Sequence, residues 1–337
     1  MTYTFAALTP MLPSAKRDGE YDNSSGGSKR YVTELGEALT AITLIGVFYG
    51  LSYWAYRART DRSARVGLYI LFGFPAILLL VAGIAAAFHY VDLATIVLAF
   101  GFAFGIALLK PVRQIFARFT PIDPDSPVDM TGLCVAFGLV ALSLSSVSGG
   151  GGDVTSVSIF GLIANVITFV AVAYAAVGWW YVRSGREASA RLGLVAPTRR
   201  TFPISVGFLF LCFAVAITGG LLAQVLQPGV TEDANSVARD IASDVQNPLG
   251  AIILGLSAGI GEELLFRGAL QPRFGIVLTA GIFAVIHAQY GFNLVILGLF
   301  GIGIVLGLER KYFGTIAAIL THAMFNALVV AVQTSTN

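Results

Sequence analysis

The sequence predicts an all-α fold, a polytopic transmembrane helical bundle of about ten spans, on three observations. Apolar residues fill 56% of the 337 positions and charged residues only 12%, about half the charge a soluble chain carries. The mean hydropathy is +0.79, and long apolar runs recur along nearly the whole chain. The basic residues collect in alternate connections between those runs. Hydrocarbon offers no partner to an unpaired backbone N–H or C=O, so each run has to be a helix.

The runs lie near 38–56, 66–88, 93–109, 130–147, 156–181, 204–226, 248–270, 274–290, 292–308 and 314–332. Each is long enough to cross about 30 Å of hydrocarbon. Pro75 falls inside the second run, which lipid-embedded helices tolerate better than soluble ones. Arg57, Arg59, Arg62 and Arg65 follow the first run, and Lys110, Arg113 and Arg118 follow the third. Arg183, Arg186, Arg191, Arg199 and Arg200 follow the fifth; Arg267 and Arg273 flank the turn after the seventh; Arg310 and Lys311 follow the ninth. The other connections hold only Arg239. The positive-inside rule then places the odd-to-even connections in the cytoplasm of a plasma-membrane protein, with both termini outside.

The remaining features set limits. A net charge of +2 gives no reason to expect nucleic acid as a partner; the lipid bilayer is the partner implied. Cys134 and Cys212 both sit in apolar runs and say little about redox compartment. Residues 1–13 lack the basic start and sustained apolar core of a signal peptide. The expected organisation is a flexible polar tail over 1–37, accessory transmembrane helices over 38–181 and a catalytic unit over 190–332. Residues 149–153 are expected as a short outer loop.

The chemistry concentrates in that last third. Glu262 and Glu263 follow three apolar turns of the seventh run. Carboxylates in a membrane helix are costly, which makes them functional candidates by default. Neighbouring residues point about 100° apart on a helix, so the two glutamates cannot share a face. Glu263 and Arg267 are i,i+4 and can pair, leaving Glu262 to point elsewhere. The bland alternative is a Glu–Arg–Glu cluster snorkelling to water at the interface. In the eighth run His287 lies four residues after Phe283, and in the tenth Asn326 lies four after His322. Singly, such groups are often satisfied buried residues or helix-to-helix hydrogen bonds. Jointly they are harder to dismiss: the chain has 3 histidines, and two fall in apolar spans near the glutamate pair, while His89 sits at an outer helix end. Carboxylate and imidazole are the groups that bind zinc or take a proton near neutral pH.

Glu262-Glu263-x-x-x-Arg267, Phe283-x-x-x-His287 and His322-x-x-x-Asn326 together resemble the three motifs of the CPBP family, the type II CAAX prenyl proteases and the related bacteriocin-processing and abortive-infection membrane proteins. The stretches GLFGIGIVLGLER and FGTIAAILTHAMFN add to the resemblance, which covers about 190–332; the first five runs match nothing in it. The resemblance implies an intramembrane endopeptidase whose substrate is a peptide or protein, prenylated or otherwise membrane-associated. It implies that Glu262 with His287 activates water, that His322 and Asn326 hold the oxyanion, and that Glu263 and Arg267 support the site. A metalloprotease version, with His287 and His322 binding Zn2+ beside Glu262, stays open at this stage, because two histidines and a glutamate form a zinc set although no H-E-x-x-H helix is present.

Two alternatives stand beside this reading: a non-catalytic scaffold or immunity-type protein of the same fold, and a proton-coupled transporter using intramembrane Glu and His as a relay. The sequence lacks the paired broken helices that transporters of that kind show. One geometric demand follows from helical rise. With a turn at Gln271, Glu262 lies about 14 Å from it and His287 about 24 Å. The two can meet only through a tilt, a bend near Gly281 or a turn set below the surface.

Overall fold

The structure, a computed structural model, describes residues 23–148, 156–290 and 293–335. Among these there is no β-strand; the chain is a series of helices. The first five apolar runs become α1 (Asn23–Arg57), α2 (Arg62–Ala86), α3 (Val91–Leu108), α5 (Pro127–Ser148) and α6 (Ile159–Ala176), with a short amphipathic α4 (Lys110–Ala117) after α3. A basic link carries α7 (Gly185–Arg191), started by a capping box in which Ser184 and Glu187 satisfy each other's backbone N–H groups. The last third runs through α8 (Thr201–Leu226), α9 (Val230–Ala242), α10 (Pro248–Glu263), a π-helical segment (Leu264–Leu270), α11 (Gln271–Val285), α12 (Val295–Phe313) and α13 (Thr315–Ser335).

Two expectations change. Helix α1 begins at Asn23, so residues 23–37 of the expected tail are helical. Once an apolar span has nucleated a helix, extending it adds one hydrogen bond per residue fixed. Residues 1–22 and the expected loop 149–153 lie outside the described residues. The connection between α8 and α10 also holds the polar helix α9, which a search for apolar runs passes over.

Among the described residues eight stretches are long and apolar enough to cross a membrane, and the chain is an integral membrane protein. One of the eight, Pro248–Val285, contains the seventh run and most of the eighth. A straight helix would hold Glu262 and His287 about 37 Å apart, yet their side chains approach within 3.8 Å. The chain therefore folds back, and the break is Gly275, with φ 74° and ψ 173°. Counted from there, Glu262 lies thirteen residues back and His287 twelve residues on. The reversal sits four residues beyond Gln271, and that displacement makes the two arms nearly equal. The ninth run, α12, is set apart by its end, which carries Glu309, Arg310 and Lys311 in succession.

Packing ties the two halves together. Helix α2 lies against α3, α3 against α5, α1 against α6, and α6 against α10. Phe169 and Val172 of α6 share one core with Leu264, Leu265 and Phe266 of the π-helical segment. In the last third α10 packs closely on α13, and α12 lies between α8 and α11. The α10–α13 approach depends on absent side chains. A Cβ on Gly255 would stand 2.4 Å from the Ala323 carbonyl oxygen, and one on Gly259 would stand 2.8 Å from the Ala323 amide nitrogen. This small-x-x-x-small seam lets backbones touch where lipid supplies no hydrophobic drive, and it sets the His322 turn beside the end of α10.

Candidate active site

Glu262 and Glu263 form the last turn of α10, where the helix passes into the π-helical segment. Such wide turns are frequent at functional sites. Both carboxylates are buried, at 4% and 0% exposure, and Arg267 at 1%. The interfacial, water-reaching cluster is therefore excluded for these groups. As the spacing predicts, Arg267 pairs with Glu263, its Nη1 3.1 Å from Oε1. The guanidinium also donates to the Gly303 carbonyl at 3.3 Å and stacks over the Phe283 ring, 4.5 Å from its centroid.

The same Glu263 oxygen lies 2.8 Å from His322 Nδ1. Glu263 thus bridges a cation on its own chain segment and an imidazole brought in by α13. Glu262 faces the other histidine: its Oε2 stands 3.8 Å from His287 Nε2 and has no hydrogen-bond partner among the described residues. His287 Nδ1 lies 2.6 Å from the Phe283 carbonyl oxygen. A carbonyl can only accept, so Nδ1 donates, and in the neutral ring Nε2 is left as an acceptor. Two acceptors thus face each other across a gap too long for a direct bond. One water can donate an O–H to each.

Phe283 holds these parts in register. Its ring centroid is 4.6 Å from that of His287 and 6.1 Å from that of His322, and its other neighbour is Phe266 at 5.5 Å. Asn326 lies one turn beyond His322 on the same stripe of α13 and is half-buried. The structure thus gathers Glu262, Glu263, Arg267, His287 and His322 within direct or one-residue contact, with Asn326 adjacent to His322 along its helix.

A zinc ion needs three or more donors converging on one point. Each histidine has its Nδ1 engaged, one on the Phe283 carbonyl and one on Glu263, which leaves Nε2 as the nitrogen that a metal could take. Among the described residues no three His, Cys, Asp or Glu groups are gathered closely enough to hold a metal ion. The described residues as placed do not form a zinc site.

One buried acid was not anticipated. Glu309 of α12 is fully buried; its Oε1 accepts from Thr321 Oγ1 at 2.8 Å and from Ser205 Oγ at 3.2 Å. Thr321 precedes His322, and its hydroxyl is also 3.1 Å from the Ser205 carbonyl oxygen. No basic side chain among the described residues pairs with Glu309. Its signal in the sequence is the ER pair at the end of the ninth run, which reads equally well as an interfacial charge cluster.

Residues 244–328 match the family model described as type II CAAX prenyl endopeptidase Rce1-like. No curated protein and no solved structure matches the chain. The match begins just before α10 and ends just after Asn326, enclosing every residue of the site described above. Over that segment the chain is similar to the Rce1-like type II CAAX prenyl endopeptidases, and the match supports its membership of the CPBP family.

Proposed function

We propose that this protein is an intramembrane endopeptidase in which Glu262 and His287 activate a water molecule without a metal. The observation that carries the reading is the pair of facing acceptors, Glu262 Oε2 and His287 Nε2, 3.8 Å apart. A water donating to both is fixed in place and loses a proton to the carboxylate as its oxygen attacks the peptide carbonyl carbon. The carbonyl electrons move onto its oxygen. Asn326 Nδ2–H donates to that oxyanion, as does His322 from Nε2 when the ring carries its second proton. Glu263 holds Nδ1 of the same ring and fixes which edge faces the substrate. Collapse of the tetrahedral centre breaks the C–N bond, and the proton taken from water passes to the leaving amine.

The substrate class follows the family: a peptide or protein at the membrane, with a prenylated C-terminus as the reference case. The unit responsible is residues 190–332. Charge supports the orientation with both termini outside the plasma membrane. Arg183 of the fifth connection and Arg273 of the seventh both donate to the Tyr56 hydroxyl at the end of α1, at 3.3 and 2.8 Å. These contacts bring the end of α1 and the fifth and seventh connections together, which supports one basic end as the positive-inside rule expects. The test is incubation of the purified protein in detergent with a proteome-derived peptide library that includes prenylated C-terminal peptides. Cleavage that is lost in Glu262→Gln supports the proposal; no cleavage of any peptide by well-folded protein overturns it in favour of a scaffold.

A further inference from the structure

Away from the acid–imidazole site, an apolar cavity lies between α1, α5, α6 and the π-helical segment. Its cavity volume is about 100 Å³, and it is partly open to the outside. Leu51, Ala136, Val172, Leu265 and Phe266 line it, and Arg273 is the only charged one among the described residues on its wall. Phe266 on its wall packs edge-on against Phe283 of the acid–imidazole site. The four elements around it are spans or continue one, so the cavity lies at membrane depth.

Its basic end continues into a cluster of arginines. Arg273 forms an ion pair with Asp129 and donates to Tyr56, whose hydroxyl also accepts from Arg183. Both guanidinium carbons sit 6.0 Å from the Tyr56 ring centroid. Arg191 at the end of α7 is half-buried, and burial, then the charges of Arg273 and Arg183, then Arg310, pull its pKa below the usual guanidinium value. Arg310 keeps a buried Nε with no partner among the described residues. Asp129 is the one carboxylate paired with this group among the described residues. Glu187 feels the charge of Arg183 but is tied into the Ser184 capping box. Like charges crowded into a half-buried place are unfavourable unless an anion joins them.

We propose that the cavity and the arginines at its mouth form a binding site for one anionic phospholipid, with an acyl chain among the apolar side chains and the phosphate on Arg273, Arg183 and Arg191. The two halves of the site match the two halves of such a molecule. Basic pockets between transmembrane helices on the cytoplasmic side recognise anionic headgroups, and guanidinium forks suit phosphate oxygens. The residues involved come from α1, α5, α6, the basic link and the start of α11. A bound lipid would therefore join the accessory helices to the catalytic half, a role for the first five spans that is independent of the peptidase reading.

The test is native mass spectrometry of the full chain, titrated with dioleoyl phosphatidylglycerol, dioleoyl phosphatidylcholine or glycerol 3-phosphate. One phosphatidylglycerol per chain should be retained, with phosphatidylcholine about tenfold weaker and glycerol 3-phosphate weaker still. The double variant Arg183→Gln, Arg191→Gln should weaken phosphatidylglycerol about tenfold and leave phosphatidylcholine unchanged. Ala136→Leu, or Val135→Phe if the first does not fold, should weaken both lipids by filling the cavity. Equal retention of the two lipids, unchanged phosphatidylglycerol binding in the arginine variant, or glycerol 3-phosphate binding as tightly as the lipid would each overturn the site.

Discussion

Glu263 Oε1 lies 2.8 Å from Nδ1 of His322, 59 positions away in the chain. That bond gives the two adjacent glutamates different work. Glu262 is left with an oxygen that no donor among the described residues reaches, while Glu263 holds both Arg267 and the imidazole of α13.

The first prediction separates them. Glu262→Gln keeps shape and hydrogen-bonding capacity but cannot take a proton, so turnover should fall by about 10²–10⁴ with folding intact. Glu263→Gln removes the charge facing a fully buried guanidinium, which should destabilise the protein by about 3–5 kcal/mol. It also loosens His322, so turnover per folded molecule should drop as well, but less than for Glu262→Gln. Detergent melting temperature and specific activity, measured for both, check this; a stable and inactive Glu263→Gln beside an active Glu262→Gln would reverse the assignment.

Glu309 supplies the contrast. It is as deeply buried as Glu263, yet its contacts are hydroxyls from Ser205 and Thr321. Glu309→Gln abandons no ion pair, and its amide oxygen can accept the same two bonds. The cost should be about 1 kcal/mol, several times smaller than for Glu263→Gln. Equal melting temperatures for the two variants would show that the buried ion pair is not what sets Glu263 apart.

Backbone geometry gives the third test. Gly275→Ala puts a side chain at φ 74° and ψ 173°, at a cost of about 1–3 kcal/mol. Gly259→Ala drives a Cβ to 2.8 Å from three atoms of α13, so α13 must shift at a cost of about 1–3 kcal/mol. Both should lower activity beyond the loss of folded protein, because each moves one histidine relative to α10. Full activity per folded molecule in Gly259→Ala would mean that His322 placement tolerates the shift.

The metal-free mechanism makes its own demand. Purified active protein should contain far less than one zinc per chain by elemental analysis, and chelator should leave cleavage unaffected. Near-stoichiometric zinc that disappears in His322→Ala would require the site to rearrange around a metal.

Topology is testable with single cysteines, because the native Cys134 and Cys212 are buried and should stay silent to aqueous reagents. Cysteine at Tyr90, in the exposed turn between α2 and α3, should be labelled from outside intact cells, and cysteine at the exposed Ser184 only after permeabilisation. The opposite pattern inverts the molecule.

The sequence alone determined the helical class, the placing of the apolar segments and the partnership of Glu263 with Arg267. Each is local: span length, the backbone's need for hydrogen bonds in lipid, and the i,i+4 repeat depend on residues within a turn or a run of one another. It also marked every acid and imidazole of the motif site, because polar groups stand out against apolar runs. It missed Glu309, whose neighbour Arg310 disguises it as part of a surface pair, and it set the turn at Gln271. Tertiary structure decided which histidine meets which glutamate, because helical periodicity fixes where a side chain points on its own helix and says nothing of the helix that comes to face it. That choice was made by Gly275, which reverses the chain so that His287 returns to Glu262, and by Gly255 and Gly259, whose missing side chains let α13 close in until His322 reaches Glu263.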